Sequence, residues 1–155
     1  EIGEIWMMPE GGPRSTYHYV GAEARVDEEG WESVGDMGRL DAEGYLYLAD
    51  RKADMILHAG HNVYPAEVEN ILDEHPAVQE SAVAGMTDEK WGEVGCAHII
   101  LRVNQTASEE ALRTWCRERL AAYKVPKYFR FTHDLPRTAA GKVQKHLLAA
   151  PETAP

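Results

Sequence analysis

The feature that most constrains this chain is a change of pattern near residue 51. Before it run short β-like segments cut by glycine and proline; after it, helical and strand periodicities alternate. In the first part, Ile2, Ile5 and Trp6 open an apolar segment that Pro9 and Gly11-Gly12-Pro13 end. The stretch Leu40 to Leu48 reads as a hairpin. Asp41-Ala42-Glu43-Gly44 supplies its turn, Gly44 can take positive φ, and aromatics alternate afterwards. Residues 1–50 are too short to bury a core unaided and are expected to be a β-rich piece that packs on something larger.

From residue 51 the reading is mixed. Met55-Ile56-Leu57 predicts a short strand ending at Gly60. Pro65 suits a first helical turn, Glu67 and Glu69 suit the positive end of the helix dipole, and Val68, Ile71 and Leu72 fall on one face. His75-Pro76 stops that helix. Val78–Met86 and Cys96–Val103 predict strands. Ser108 predicts an N-cap for a helix whose apolar face holds Leu112, Trp115, Cys116 and Leu120, with the tryptophan in the core. Tyr128–Thr132 predicts one more strand, and a polar loop from Asp134 to Lys142 leads to a last helical turn over Val143–Leu148. The order β-α-β-β-α-β predicts a small α+β domain over 51–149, its helices packed on a short sheet, then a disordered tail at 150–155. No internal repeat is apparent.

At 155 residues and 44% hydrophobic content, one domain, or one with an appendage, can be buried. No apolar run nears the ~18 residues that cross a bilayer. The opening Glu1-Ile2-Gly3-Glu4 carries neither Met nor a signal-peptide pattern, so the chain is expected to be a piece of a longer polypeptide. Cys96 and Cys116 make no disulfide framework and no zinc pattern, and a reducing cytoplasm is the default.

A net charge of −10 argues against bulk nucleic-acid binding, yet the charge is uneven. Residues 1–74 hold 17 acids and 5 bases, whereas residues 75–155 hold 9 acids and 11 bases. Between 113 and 145, nine bases face only Glu118 and Asp134, a local +7. Such a stretch either attracts a compact polyanion, such as a nucleotide, or is a solvated face with no partner.

Three polar spots can carry chemistry. Asp36, between Gly35 and Met37-Gly38 at a strand end, either accepts both hydroxyls of a ribose or bonds to its own turn. Asp50-Arg51-Lys52-Ala53-Asp54 reads as a hinge or as any polar loop, with Arg51 able to fork onto a phosphate or sugar. Lys142 closes a small-residue loop that can move. It either meets charge developing on a carboxylate or phosphate, or is an ordinary surface lysine. The phosphate-loop pattern G-x-x-x-x-G-K-[ST] is absent. His58 and His61 lack the third ligand that catalytic zinc needs, so no metal is expected there.

Taken in order, these segments resemble the superfamily of acyl-CoA synthetases, luciferases and peptide-synthetase adenylation domains. The matching text runs from Gly30-Trp31 through Gly35-Asp36, Asp41 to Gly44-Tyr45 and Asp50-Arg51. It continues with Gly60-His61-Asn62-Val63-Tyr64-Pro65-Ala66-Glu67-Val68-Glu69, Tyr123-Lys124-Val125-Pro126 and Pro136-Arg137-Thr138 to Gly141-Lys142. The resemblance covers roughly residues 1 to 148 and implies the C-terminal portion of an AMP-forming acid–CoA ligase. Residues 1–50 would end a large N-terminal domain, and 51–149 would form the mobile lid.

On that resemblance, Asp36 and Arg51 approach the ribose of ATP and of the acyl-adenylate. Lys142 bridges carboxylate and α-phosphate, and the Gly60 loop lets the pantetheine arm of CoA come close. Arg51, Lys52 and Ala53 form the hinge, although Ala53 stands where the family usually has Asp or Lys. Asp50 likewise replaces a glycine common in the family. ATP, CoA and Mg2+ are implied, the ion held mainly by the N-terminal domain, and so is a small carboxylic acid substrate. The isolated chain is expected to be inactive. Two other readings stay open: an adenylation domain that delivers to a carrier protein, and a non-catalytic α+β interaction module.

Overall fold

The computed structural model describes residues 1–13 and 25–148. The expected tail at 150–155 lies outside them. In chain order the elements are β1 (Gly3–Glu4), β2 (Arg25–Val26), β3 (Glu32–Ser33), β4 (Asp36–Leu40), β5 (Leu46–Arg51), β6 (Ile56–His58), β7 (His61–Val63), α1 (Pro65–Asp73), β8 (Val78–Asp88), β9 (Gly92–Leu101), α2 (Glu109–Arg117) and β10 (Tyr128–Phe131). Short 3-10 turns follow at Ala122–Lys124 and Lys145–Leu147. Two compact units divide after Ala53, so Arg51, Lys52 and Ala53 all belong to the first. No helix among the described residues is long and apolar enough to cross a membrane.

In the first unit β4 pairs antiparallel with β1 on one side and β5 on the other, and β2 and β3 form a separate ribbon. The expected hairpin is present. The Asp41 carboxylate accepts the backbone N–H groups of Glu43 and Tyr45, and Gly44 sits at φ 86°. Those amides, Tyr45 first, hold the Asp41 carboxyl below its ordinary range. The same turn occurs a second time. Asp27 accepts from Glu29 and Trp31, with Gly30 at φ 91°, so Asp-x-Glu-Gly-aromatic is a small repeat that the sequence reading passed over.

A bulge between Met37 and Gly38 shifts the β4–β5 register. Gly38 is obligatory for steric reasons, because a Cβ there would stand 2.6 Å from the Tyr47 carbonyl oxygen and 2.9 Å from Ile5 Cδ1. Gly38→Ala should therefore destabilise this unit by about 1–3 kcal/mol, as over-packing does. Gly3→Ala, which meets nothing within 4 Å, serves as the control. Equal denaturation midpoints for the two variants would count against the clash.

The second unit is built on β8 and β9, paired antiparallel along nearly their whole length, with β10 parallel to β9 on its other side. Side chains alternate across this sheet, and both faces are buried. On one face Val83, Ala97, Ile99 and Phe129 meet Val68 and Leu72 of α1 and Leu112 and Cys116 of α2. On the other, Ala82 and Ala84 meet Leu135, Leu148, Ile100 and Val143. The C-terminal segment thus covers the face that the helices leave open.

The fold class is α+β, but the order is β-β-α-β-β-α-β rather than β-α-β-β-α-β. The added strand, β7, is three residues long, too short to show a period. The last turn is also shorter than expected, a 3-10 turn at Lys145–Leu147. Ser108 caps α2 as expected, its Oγ accepting the Ala111 N–H at 3.1 Å. Trp115 lies at the edge of the core and not within it. Its Nε1–H needs an acceptor and donates to the Ile71 carbonyl at 2.7 Å, while the Arg119 guanidinium covers the ring.

Candidate functional site

In the first unit, Asp36 and Arg51 are direct cross-strand partners of β4 and β5. Asp36 is half-buried, not exposed as the flanking glycines imply, and Arg51 is exposed. Among the described residues no side-chain hydrogen bond or ion pair engages the Asp36 carboxylate, which leaves both oxygens to accept. The next residues are tethered. Lys52 donates from its backbone N–H to the Gly35 carbonyl at 2.7 Å and from Nζ to Glu4 at 2.7 Å. Glu4, a residue missed in the sequence, also accepts from Arg25 and Ser33. Lys52 above all holds its carboxyl below the usual range.

Gly60 lies in the two-residue turn joining β6 to β7, where His58 faces His61. Ala59 at φ 48° and Gly60 at φ 83° are both left-handed, as a tight hairpin matched to strand twist requires. Ala59 is the strained member, and its N–H donates to the Trp91 carbonyl at 2.8 Å. His58 stacks on Trp91 and His61 on Tyr123, so both histidines act as aromatic supports for the turn.

Lys142 ends a second tight turn. Gly141 N–H donates to the Thr138 carbonyl, Thr138 N–H to the Lys142 carbonyl, and Lys142 N–H to Thr138 Oγ1. Gly141 is at φ 83°, and Arg137 bridges Val143 across the base. The expected mobile polar loop is instead a closed hairpin turn, buttressed by buried Leu135 and half-buried Val143. Lys142 itself is exposed.

The basic stretch is neutralised in three dimensions. Lys124 pairs with Glu67, Lys127 with Asp88, Arg137 with Glu80, Lys145 with Glu69, Arg113 with Glu109, and Arg117 with Glu110. All six acids come from outside the stretch, which is why counting residues overstated the local charge. Arg119 pairs with Glu118 inside it. Among the described residues no ion pair engages Lys142.

Gly60 and Lys142 occupy different turns of the second unit, and Asp36 and Arg51 share one strand pair of the first. Both cysteines are buried, and burial pushes the Cys116 thiol up to about 11 and raises Cys96 as well, so neither offers a thiolate. Among the described residues no group of three or more His, Cys, Asp or Glu could hold a metal.

The second unit is a small α+β domain with a glycine turn and a turn-tip lysine unpaired among the described residues, and its fold matches the C-terminal lid domain of adenylate-forming enzymes. The structure of o-succinylbenzoate CoA synthetase from Bacillus subtilis in complex with the acyl-adenylate intermediate OSB-AMP aligns with a TM-score of 0.85 at 39% identity. That alignment covers 100% of this chain and 32% of the other. The 2-succinylbenzoate–CoA ligase of Bacillus velezensis is 44% identical over 148 residues, 96% of this chain. The long-chain-fatty-acid–CoA ligase of Bacillus subtilis is 47% identical over 130 residues, 84% of this chain. The chain spans 30% of the first of these proteins and 23% of the second. Residues 67–142 match the AMP-binding enzyme C-terminal domain, and that part of the chain belongs to that family.

Proposed function

We propose that this chain is the C-terminal part of an AMP-forming acid–CoA ligase. In the first half-reaction a carboxylate oxygen attacks the α-phosphorus of ATP, giving acyl-adenylate and pyrophosphate. In the second the CoA thiol attacks the acyl carbon, giving the thioester and AMP. The observation that carries the reading is Lys142: it stands unpaired among the described residues, while seven of the eight other bases of its stretch pair with carboxylates.

Lys142 would stabilise the negative charge shared by carboxylate and α-phosphate in the first step. Asp36, with its carboxylate unengaged, would accept the ribose hydroxyls, and Arg51 beside it would approach ribose or phosphate. The Gly60 turn would admit the pantetheine arm in the second step, after the lid pivots about Arg51, Lys52 and Ala53. The described residues offer no cluster for Mg2+, so no step here passes through that ion. Neutralisation of the basic stretch removes charge as an argument for CoA over a carrier protein. The support for CoA is that the relatives are CoA ligases.

The test uses the longer polypeptide that carries this sequence, supplied with acid, ATP and either CoA or a holo-carrier protein. Thioester should form on CoA. Gly60→Val, which forces a β-branched residue into a left-handed position at ~1–2 kcal/mol, should slow thioester formation about 10-fold while pyrophosphate release is kept. Transfer to the carrier alone would displace this reading. Pyrophosphate release by the isolated 155-residue chain would contradict its dependence on a larger partner domain.

A further inference from the structure

One guanidinium holds the turn that carries Lys142. Arg137 donates through Nη2 to both carboxylate oxygens of Glu80, at 2.6 and 2.5 Å, and through Nη1 to the Gly141 carbonyl at 3.0 Å. Glu80 lies in β8 opposite Ile100 of β9, directly after a register shift at Gln79, and from there the pairing runs unbroken to Asp88, so Glu80 is anchored to the sheet. Gly141 immediately precedes the lysine. The fork therefore ties the residue before Lys142 to the rigid part of the unit, and the Arg137–Val143 bridge ties the residue after it. Both side chains are 33% exposed, so as a stabilising ion pair this contact is worth little. Its geometry is the informative part. A planar fork can serve a carboxylate and a carbonyl together, and a lysine ammonium lacks that shape. Lys145–Glu69 fastens the segment beyond the turn without touching it.

We propose that Arg137 is a positioning residue: its fork between Glu80 and the Gly141 carbonyl fixes the direction in which the Lys142 side chain leaves the turn. Glu80 also neutralises Arg137, so the net cation offered at the tip is the lysine. This rests on reading Lys142 as the adenylation lysine.

The experiment measures pyrophosphate release by the longer polypeptide carrying Arg137→Lys, Glu80→Gln or Lys142→Ala, and each of the first two combined with the third. Arg137→Lys and Glu80→Gln should each lower the kcat of adenylation about 10-fold, as displacing a reacting group by a fraction of an ångström does. KM for ATP and the melting temperature should hold. In the Lys142→Ala background neither should cost anything more, because the group being aimed is gone. A raised KM with kcat intact would mean that Arg137 binds substrate itself and would overturn the proposal, as would additive losses. Wild-type rates for Arg137→Lys beside a crippled Lys142→Ala would sink the strut alone. Full adenylation by Lys142→Ala would overturn the reading of the lysine and the strut with it.

Discussion

Replacing Lys142 by alanine in the longer polypeptide will lower acyl-adenylate formation by on the order of 10²-fold or more, the scale seen when a preorganised group facing developing charge is removed. The turn should survive the change. Its closing hydrogen bonds run between backbone groups and the Thr138 hydroxyl, none involving the lysine side chain. Buried Leu135 and Leu148, with half-buried Val143 packed on them, hold the flanking segment independently. The melting temperature should therefore stay within a degree or two of wild type, given that exposed side chains away from specific contacts contribute within about 0.5 kcal/mol. Pyrophosphate release and thermal melting on the same preparations separate the two effects. A variant that melts as wild type and adenylates as wild type would leave the unpaired lysine without a role.

Truncating Leu72 to alanine should destabilise this chain by about 2–5 kcal/mol. Leu72 is fully buried on the inner face of α1, one helical turn after Val68, and packs where that helix meets the sheet beneath both helices. The loss combines the transfer free energy of the removed carbons with the cavity that a sheet backed on both faces cannot close. Chemical denaturation followed by the circular dichroism of α1 and α2 reports it directly. A loss under about 1 kcal/mol would mean that α1 shifts to refill the space, contrary to its anchorage by Trp115 to Ile71 and by Lys124 to Glu67.

Elements with a local cause were legible in the sequence. The Asp41–Gly44 turn, the start of α1 at Pro65, the Ser108 cap and the long strands each depend on residues a few positions apart. So was the α+β class, which follows from their order. What escaped depends on distant partners. β7 is three residues long and exists because β6 folds back through Ala59-Gly60, a pair lacking the Asn-Gly signal of such turns. The turn before Lys142 was expected only as a polar loop able to move; its closing bonds are local, from Thr138 to Gly141 and Lys142, but Thr-Ala-Ala-Gly lacks the Asn-Gly or Asp-Gly signal of a tight turn. Glu80 and Arg137 are 57 residues apart, and Asp88 and Lys127 are 39 apart, so these pairs left no trace in local composition, whereas Glu109 and Glu110 stand just before the stretch and pair with Arg113 and Arg117. Trp115 shows a different failure. Periodicity placed it on the apolar face, but its N–H kept it at the edge, where a carbonyl was in reach.

The four candidate site residues were named from short segments whose order, more than their individual chemistry, marked them. The structure adds their local roles. Asp36 and Arg51 are paired by strand register, Gly60 occupies a left-handed turn position, and Lys142 tips a hairpin. The division of labour proposed for the last two assigns one half-reaction to each of these separate turns.

The most direct measurement supplies preformed acyl-adenylate and CoA to the longer polypeptide bearing Lys142→Ala, and compares thioester formation with adenylation from ATP and acid. If the lysine acts on the carboxylate–phosphate bond alone and the Gly60 turn serves the thiol step, adenylation falls at least about 10²-fold while thioester formation stays near wild type. Equal loss of both steps would contradict the assignment of the two turns to two different half-reactions.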